Sequence, residues 1–312
     1  MSEVKKIATR ESYGKALAEL GAEYPNLVVL DADLAGATKT DIFKKAWPDR
    51  HIDCGIAEGN MMGVAAGLAT AGMIPFASTF AMFAAGRAYE QVRNSIAYPR
   101  LNVKIGATHA GISVGEDGAS HQCLEDIALM RVIPGMVVIC PSDDVEARKA
   151  VRAAAEYNGP VYLRFGRSAV PVINAESYDF RIGKGQLLRT GKDVTLAATG
   201  ITVAAALEAA ERLSAEGIDA EVINIATIKP LDTELLLASA AKTGKVITCE
   251  EHSIIGGLGG AVAECLSENL PTRMFRIGIR DRFGESGTAA ELIHKYQLDG
   301  EGIFVQAKEF LK

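Results

Sequence analysis

The sequence lacks the long apolar runs and basic stripes that mark membrane and nucleic-acid-binding proteins. No stretch approaches the roughly 20 apolar residues of a membrane helix, and the N-terminal segment has no apolar signal core. The formal net charge is −6, and no basic stripe is present that could neutralise a nucleic-acid backbone. We therefore expect a cytoplasmic protein that binds neither nucleic acid nor membrane.

Cysteines are few and do not have the spacing of metal ligands. The five are Cys54, Cys123, Cys140, Cys249 and Cys265, scattered along the chain. Their odd number and their spacing indicate neither a disulfide framework nor a zinc motif, and a reducing compartment fits best. We expect no metal ligands on this chain.

The composition is that of a globular protein with two cores. The chain has 312 residues, of which 48% are hydrophobic and 23% are charged, with no bias towards disorder. This length exceeds the usual size of a single domain, so two domains are expected.

Short β-branched runs alternate with amphipathic stretches in the first half of the chain. The predicted strands cover residues 26–31, 74–79, 102–108, 136–141 and 160–165, and the predicted helices cover 12–24, 60–71, 83–97, 124–132 and 143–157. An alternation of strand and helix predicts a parallel sheet with helices on both faces.

The alternation stops at residues 175–186, which contain turn formers and charge, and then begins again. Predicted strands follow at 193–198, 219–225, 245–250 and 272–278, and predicted helices at 202–216, 232–243 and 257–269. The predicted fold class is α/β, with two doubly wound domains that have mainly parallel sheets. We place the domains at 1–174 and 187–312, with a linker at 175–186 between them.

Glu58 is a lone carboxylate at a strand-to-helix junction, in the segment CGIAEGNMMGVAAG. An acid in the first turn of a helix can simply complement the helix dipole. Its small and apolar neighbours favour a second interpretation, because a desolvated carboxylate is suited to sharing a proton with a cofactor ring nitrogen.

Two aromatic residues follow the next predicted strand, in STFAMFAAGRAYEQVR. Phe80 and Phe83 are three residues apart, a spacing that places both rings on one helical face. Core packing is the usual explanation, but such a wall would also suit stacking on a flat heterocycle. Arg87, Tyr89 and Arg93 on the same predicted helix can equally be solvated or interfacial.

The loop THAGISVGEDGASHQ combines two histidines, two acids and three glycines after a buried strand. His109 and His121 bracket Asp117 at the carboxyl end of that strand, where doubly wound sheets bind ligands. Two arginines complete the candidates: Arg10 at the start of the first helix and Arg167 after VYLRF. Either could hold a phosphate or lie on the surface.

These segments resemble the transketolase family from Ala8 to Phe310. THAGISVGEDGASHQ is similar to the family's THDSIGxGEDGPTHQ, GIAEGNMMG to GIREHAMG, and STFAMF to STFLxF. DADLAGAT resembles SADLxPSN, and ATRESYGKAL resembles ATRKLSxxxL. The resemblance implies the pyrimidine-binding domain of the family followed by its C-terminal domain. Gly86 replaces an aromatic residue of some members, and Ala37 replaces a substrate-contacting serine.

The resemblance implies thiamine diphosphate as cofactor and a role for each candidate. Glu58 would protonate the aminopyrimidine ring, and His121 would act with it in catalysis. The implied cofactor contacts are Glu58, Phe80, Phe83, Asp33 and Ile56. The implied contacts with a sugar phosphate are Arg10, His109, Asp117, His121 and Arg167.

The family's GDG motif, which with a downstream Asn holds the metal and the diphosphate, does not occur in this sequence. The resemblance therefore implies a split transketolase, in which a separate N-terminal-half chain supplies the Mg²⁺ or Ca²⁺ ligands. We expect an α2β2 assembly in which this chain also dimerises. The expected reaction transfers a two-carbon ketol unit between a ketose phosphate and an aldose phosphate.

Other functions stay open at this point. The β subunit of a 2-oxoacid dehydrogenase shares the layout and the carboxylate, but it lacks the paired-histidine GEDG loop. A 1-deoxyxylulose-5-phosphate synthase resembles the RAYEQV segment, although that enzyme is normally one long chain. A non-catalytic regulatory or binding subunit is an alternative of another class. The cluster Glu250, Glu251 and His252 is interpreted as the polar cap of a strand, and the domain that carries it as a dimer-building module.

Overall fold

The computed structural model describes residues 5–312 and contains two large, mainly parallel sheets covered by helices and a small antiparallel pair of strands. The strands are β1 Lys6–Ala8, β2 Leu27–Asp31, β3 His51–Asp53, β4 Ile74–Phe80, β5 Lys104–Thr108, β6 Val137–Ile139, β7 Val161–Arg164, β8 Ala169–Pro171, β9 Gln186–Arg189, β10 Val194–Ala198, β11 Ala220–Asn224, β12 Thr227–Lys229, β13 Lys245–Ser253 and β14 Arg273–Ile279.

The helices connect successive strands in most cases. They are α1 Thr9–Glu23, α2 Ala35–Thr38, α3 Asp41–Ala46, α4 Glu58–Thr70, α5 Tyr89–Gln91, α6 Asp126–Arg131, α7 Asp144–Glu156, α8 Thr202–Ala215, α9 Thr233–Thr243, α10 Leu258–Asn269, α11 Ala289–Lys295 and α12 Gly300–Leu311. Side chains cap several helix starts. Asp143 accepts a hydrogen bond from the backbone of Glu146, and Asp232 accepts one from Leu235.

The first domain is built on a seven-stranded sheet of order β12-β6-β7-β5-β4-β2-β3. Six of its strands are parallel, and every residue of β2, β4 and β5 is buried. Successive residues of β2 enter opposite cores: Leu27 and Val29 pack on one face of the sheet, and Val28 and Leu30 on the other. The predicted α/β fold with mainly parallel sheets is confirmed.

The second domain has a five-stranded sheet of order β14-β13-β10-β11-β9, with β9 as an antiparallel edge. The second half of the sequence also contributes a strand to the first sheet, because β12 pairs antiparallel with β6. The alternation of strands and helices predicts a first sheet made only from the first half of the sequence, and this expectation is wrong. The boundaries proposed at 1–174, 175–186 and 187–312 stay a prediction.

The segment predicted as one helix at 83–97 is irregular. It consists of the wide π-helical turns Phe83–Arg87 and Val92–Ala97 on either side of α5. Phe80 ends β4 and does not belong to the helix, so the expectation that Phe80 and Phe83 share one helical face is wrong. No helix among residues 5–312 has the length and apolar character needed to cross a membrane.

Candidate active site

The candidate residues gather at the carboxyl edge of the first sheet. Asp33 follows β2, Glu58 follows β3, Phe80 ends β4, His109 follows β5 and Arg167 follows β7. Carboxyl ends of parallel strands meet along one edge, which is why residues far apart in the sequence come together here. Arg10 joins them from the first turn of α1.

Glu58 is the first residue of α4 and is 2% exposed. Both of its carboxylate oxygens accept hydrogen bonds of 3.0 Å from Nη1 of Arg87. The guanidinium carbon of Arg87 in turn lies 4.5 Å from the ring centre of Phe83. The sequence pattern allows Arg87 to be a solvated or interfacial residue, whereas the structure places it against both the carboxylate and the aromatic wall.

The aromatic wall continues into the two histidines. The rings of Phe80 and Phe83 stack 5.7 Å apart with an interplanar angle of 15°. His109 stacks on Phe80 with ring centres 3.9 Å apart, and His121 meets Phe83 edge-on at 5.5 Å. Phe80 and Phe83 thus form the predicted aromatic pair, with Phe80 at the end of a strand and Phe83 in a helical turn. Both histidines of the GEDG loop pack against this pair.

His109 is buried, and its backbone is in the left-handed region, with φ 55°. Its Nε2 lies 3.2 Å from Nη1 of Arg10, which can only donate, so Nε2 accepts. The proton then resides on Nδ1, which donates to the hydroxyl of Thr108 at 2.9 Å. Burial, then the nearby Arg10, Arg167, His121 and Lys39, lowers the pKa of His109 to about 3. His109 is therefore a neutral imidazole near pH 7.

Two guanidinium groups lie near His109. Arg10 donates to the carbonyl oxygen of Ala37 at 2.9 Å, and burial followed by the charge of Arg167 lowers its pKa. Arg167 donates to the carboxylate of Glu116 at 2.8 Å and to the carbonyl oxygen of Val114. Guanidinium groups are the side chains that suit a tetrahedral anion.

The remaining predicted site residues are exposed. Asp117 has its carboxylate 4.0 Å from Nη1 of Arg167. Asp33 is exposed with φ 60°, and its backbone N–H donates to the carboxylate of Asp53 at 3.1 Å. Ile56 is 77% exposed. Asp33 and Ile56 are therefore exposed residues on the same sheet edge as Glu58.

The second domain contacts the loop that carries Asp117 and His121. Glu251 is 3% exposed and accepts a 2.5 Å hydrogen bond from the backbone N–H of Ser113. A Cβ at Gly111 would lie 2.3 Å from the Glu251 carboxyl carbon, so the loop backbone passes directly over this side chain. Burial, opposed by the charge of Arg164, raises the pKa of Glu251 to about 7.

Glu250 and His252 flank Glu251 and are fully buried. Glu250 accepts hydrogen bonds from the backbone N–H groups of Leu258 and Gly259 at the start of α10, and burial raises its pKa to about 7. Burial lowers the pKa of His252 to about 4. The expectation that these residues are the polar cap of a strand end is wrong, because all three are buried inside β13, which continues to Ser253. Glu250 instead accepts from the start of α10, and Glu251 supports the loop of the other domain. Three consecutive charged or polar residues in a buried strand were the available signal.

Comparison with known proteins assigns both halves of the chain. Residues 5–172 match the model of the transketolase pyrimidine-binding domain, and residues 183–303 match that of the transketolase C-terminal domain. The chain belongs to the transketolase family. Its place in that family is the pyrimidine-binding and C-terminal part, as the sequence motifs predicted.

Transketolase relatives of similar length are among the matches. The chain is 55% identical over 306 residues to a putative transketolase C-terminal section from Methanocaldococcus jannaschii, covering 97% of this chain and 96% of that protein. It is 47% identical over 300 residues to a 6-deoxy-6-sulfo-D-fructose transketolase subunit from Clostridium sp. (strain MSTE9), covering 96% and 93%.

A solved structure of a transketolase has the same fold. It is described as a split gene transketolase, inactive beta4 tetramer, and it superimposes with a TM-score of 0.90 at 55% identity. The match covers 98% of this chain and 99% of that one. These relatives fit the transketolase interpretation and give less support to the dehydrogenase and synthase alternatives.

The site suits the aminopyrimidine end of thiamine diphosphate, the cofactor that membership of the transketolase family implies. Glu58 offers a buried carboxylate and Phe83 an aromatic face beside it, which match a planar ring with hydrogen-bond donors. Among residues 5–312, no group of three or more His, Cys, Asp and Glu side chains is arranged to hold a metal ion.

Proposed function

We propose that this chain is the C-terminal subunit of a split transketolase, which transfers a two-carbon ketol unit between ketose and aldose phosphates. The buried carboxylate of Glu58, next to Phe83 and on the same edge as His109, Arg10 and Arg167, carries the proposal. A buried carboxylate, an aromatic face and two arginines on one sheet edge are the features that ketol transfer to a sugar phosphate would need.

Bound thiamine diphosphate would supply the carbanion chemistry of ketol transfer. Glu58 would share a proton with the ring nitrogen, and Phe80 and Phe83 would form the wall against which the ring packs. Asp33 and Ile56, exposed at the rim, would complete the cofactor contacts from this chain.

Two histidines would act on the sugar. His121 is half-buried against the edge of Phe83 and would move a proton at the reacting hydroxyl. His109 stays neutral near pH 7 and would orient the sugar as a hydrogen-bond partner, together with Asp117. The contacts of His109 with Phe80 and of His121 with Phe83 support these roles.

Arg10 and Arg167 would bind the anionic end of the substrate. Burial and then the charge of Arg167 lower the pKa of Arg10, and a bound phosphate would relieve this repulsion. The name of the Clostridium relative includes a sulfonated sugar. Sulfonate is also a tetrahedral anion, so substrates of both kinds belong in an assay.

An N-terminal-half chain would complete the enzyme by holding the diphosphate and its Mg²⁺ or Ca²⁺. We propose an α2β2 assembly in the cytoplasm, in which this chain also contacts its own copy. This chain matches 93–99% of the length of three relatives. Their names contain the words section, subunit or split gene, which supports a two-chain enzyme. All five cysteines are free, which agrees with a reducing compartment.

Reconstitution tests the proposal. The chain is purified alone and mixed with an N-terminal-half chain, and a coupled assay with thiamine diphosphate measures ketol transfer over a panel of sugar phosphates and sulfonated sugars. We expect activity from the mixture and none from either chain alone. Activity of this chain without a partner would refute the split arrangement, and cofactor binding without transfer on any sugar would favour a non-catalytic subunit.

A further inference from the structure

Arg87 already occupies the space between Glu58 and Phe83. Its Nη1 bridges the two carboxylate oxygens of Glu58 at 3.0 Å each, and its guanidinium lies over the Phe83 ring at 4.5 Å. The side chain is 55% exposed, whereas that of Glu58 is 2% exposed. The partly exposed Arg87 therefore covers the buried carboxylate of Glu58.

A guanidinium and an aminopyrimidine offer the same recognition features. Each is planar, presents N–H donors at its edge and stacks on an aromatic face. The two contacts that Arg87 makes are the two that the proposed function requires of the cofactor ring. We infer that Arg87 is an internal stand-in for the aminopyrimidine, which holds the Glu58 and Phe83 site until thiamine diphosphate displaces it; the inference rests on the proposed function.

Arg87 and the cofactor ring cannot both donate hydrogen bonds to the carboxylate of Glu58 and stack on Phe83 at the same time. A guanidinium does not give up its proton in a protein, so while it donates to both oxygens of Glu58 the carboxylate has a donor on each. The face of Phe83 is likewise covered. Binding of the cofactor ring at these two residues therefore has to move Arg87 towards solvent.

The contact has a physical use in the uncombined chain. A buried carboxylate without a partner is strongly unfavourable, and Arg87 supplies the compensating charge. Because the guanidinium is more than half exposed, solvent screens the ion pair and keeps it weak. The pair is thus strong enough to cover Glu58 and weak enough for a ligand to displace.

Calorimetric titration of thiamine diphosphate into the reconstituted two-chain complex tests the inference. Arg87→Ala removes the competitor, so we expect the Kd to fall roughly three- to tenfold, the change that corresponds to about 1 kcal/mol. Arg87→Lys keeps the charge but loses the planar fork, so its Kd should lie between those of Arg87→Ala and the wild type. Arg93→Ala, an exposed arginine in the same helical segment, is the matched control and should leave the Kd unchanged.

A second measurement is the Tm of this chain without its partner, where the substitution should be destabilising although it favours cofactor binding. Arg87→Ala should lower its Tm, because Glu58 loses its compensating charge, whereas Arg93→Ala should not. A Kd for Arg87→Ala that is unchanged or higher would overturn the stand-in while leaving the proposed function intact. Absence of binding in the wild-type complex as well would overturn the proposed function, and the inference with it.

Discussion

Both domains gather the carboxyl ends of parallel strands along one edge, but these edges meet different surroundings. In the first domain the edge carries Glu58, Phe80, His109 and Arg167 on the loops that follow its strands. In the second domain the corresponding edge faces the first domain: Glu251, near the end of β13, accepts a hydrogen bond from the loop at Ser113. The first edge carries the residues of the proposed site, and the second holds a loop of the neighbouring domain.

Several contacts along the second edge support this difference. Asn224 at the end of β11 donates to the buried carboxylate of Glu146, and Thr199 after β10 donates to the carbonyl oxygen of Cys140. After β14, the carbonyl oxygen of Glu285 accepts from Gln122, next to His121. The comparison teaches that the C-terminal domain fixes the loop between Ser113 and Gln122, which carries Asp117 and His121.

Glu58→Gln should have the largest effect on the function of the first edge. Gln keeps the shape of the side chain but cannot share a proton, so ketol transfer by the two-chain complex should fall by about 10²- to 10⁴-fold. Glu90→Gln, an exposed acid near Arg87 in the sequence, is the control. Steady-state rates that remain within twofold of the wild type would remove Glu58 from the catalytic machinery.

Arg10→Leu should act next most strongly, and on anionic substrates alone. Loss of charge-assisted hydrogen bonds of about 1.5–3 kcal/mol should raise the KM for sugar phosphates roughly 10- to 100-fold. The KM for an unphosphorylated sugar should change little, and Arg181→Leu on the exposed surface should affect neither. An equal rise for both kinds of sugar would show that Arg10 acts through His109 and not through the anion.

Glu251→Ala tests the second edge. It leaves the N–H of Ser113 without its acceptor and opens space beneath Gly111, so the loop should shift. We expect the KM for sugar phosphates to rise about tenfold while the Kd for thiamine diphosphate stays the same. Glu268→Ala, exposed on α10, is the matched control. Unchanged sugar kinetics would limit the second domain to assembly.

The smallest expected effect is on stability as a function of pH. Burial raises the pKa of Glu251 to about 7, so the folded chain binds this proton more tightly than the unfolded chain, whose carboxyl has a pKa near its usual value. The contribution of this group to the free energy of unfolding is therefore fully present below the unfolded pKa. It declines as the pH rises towards 7, by at most about 1.4 kcal/mol per pH unit.

Glu251→Gln removes that titration. Denaturant unfolding at several pH values should show a flatter pH dependence between about 4.5 and 7 than for the wild type. His109, whose pKa is lowered, acts with the opposite sign: its contribution is present above about 6.5 and is lost as the pH falls towards 3. Parallel pH curves for wild type and Glu251→Gln would mean that Glu251 does not titrate in this range.

The sequence predicted the elements that have a clear hydrophobic period. Helices such as α7 and α8, and the buried strands β2, β4 and β5, lie within a few residues of their predicted bounds. The three-residue strands β1, β3, β8 and β12 were missed, because such short segments carry no period and become strands only through their partners. The pairing of β12 with the first sheet depends on how the domains pack, which no local pattern encodes.

The candidate site was predictable as a set of residues on one edge, but not in its contacts. The rule for strand ends brings Glu58, Phe80 and His109 together. It does not say that Arg87, 29 residues from Glu58, covers the carboxylate, or that Glu251 supports a loop 138 residues away in sequence. Such contacts depend on side-chain direction and on burial between domains. The roles assigned to the individual residues stay predictions.

A crystal structure of the two-chain complex with thiamine diphosphate tests the central claim most directly. We predict the aminopyrimidine ring within hydrogen-bond distance of Glu58, about 2.6–3.2 Å, with the ring on the face of Phe83 and Arg87 turned towards solvent. The diphosphate and metal should contact the other chain. A ring bound far from Glu58 would contradict the account.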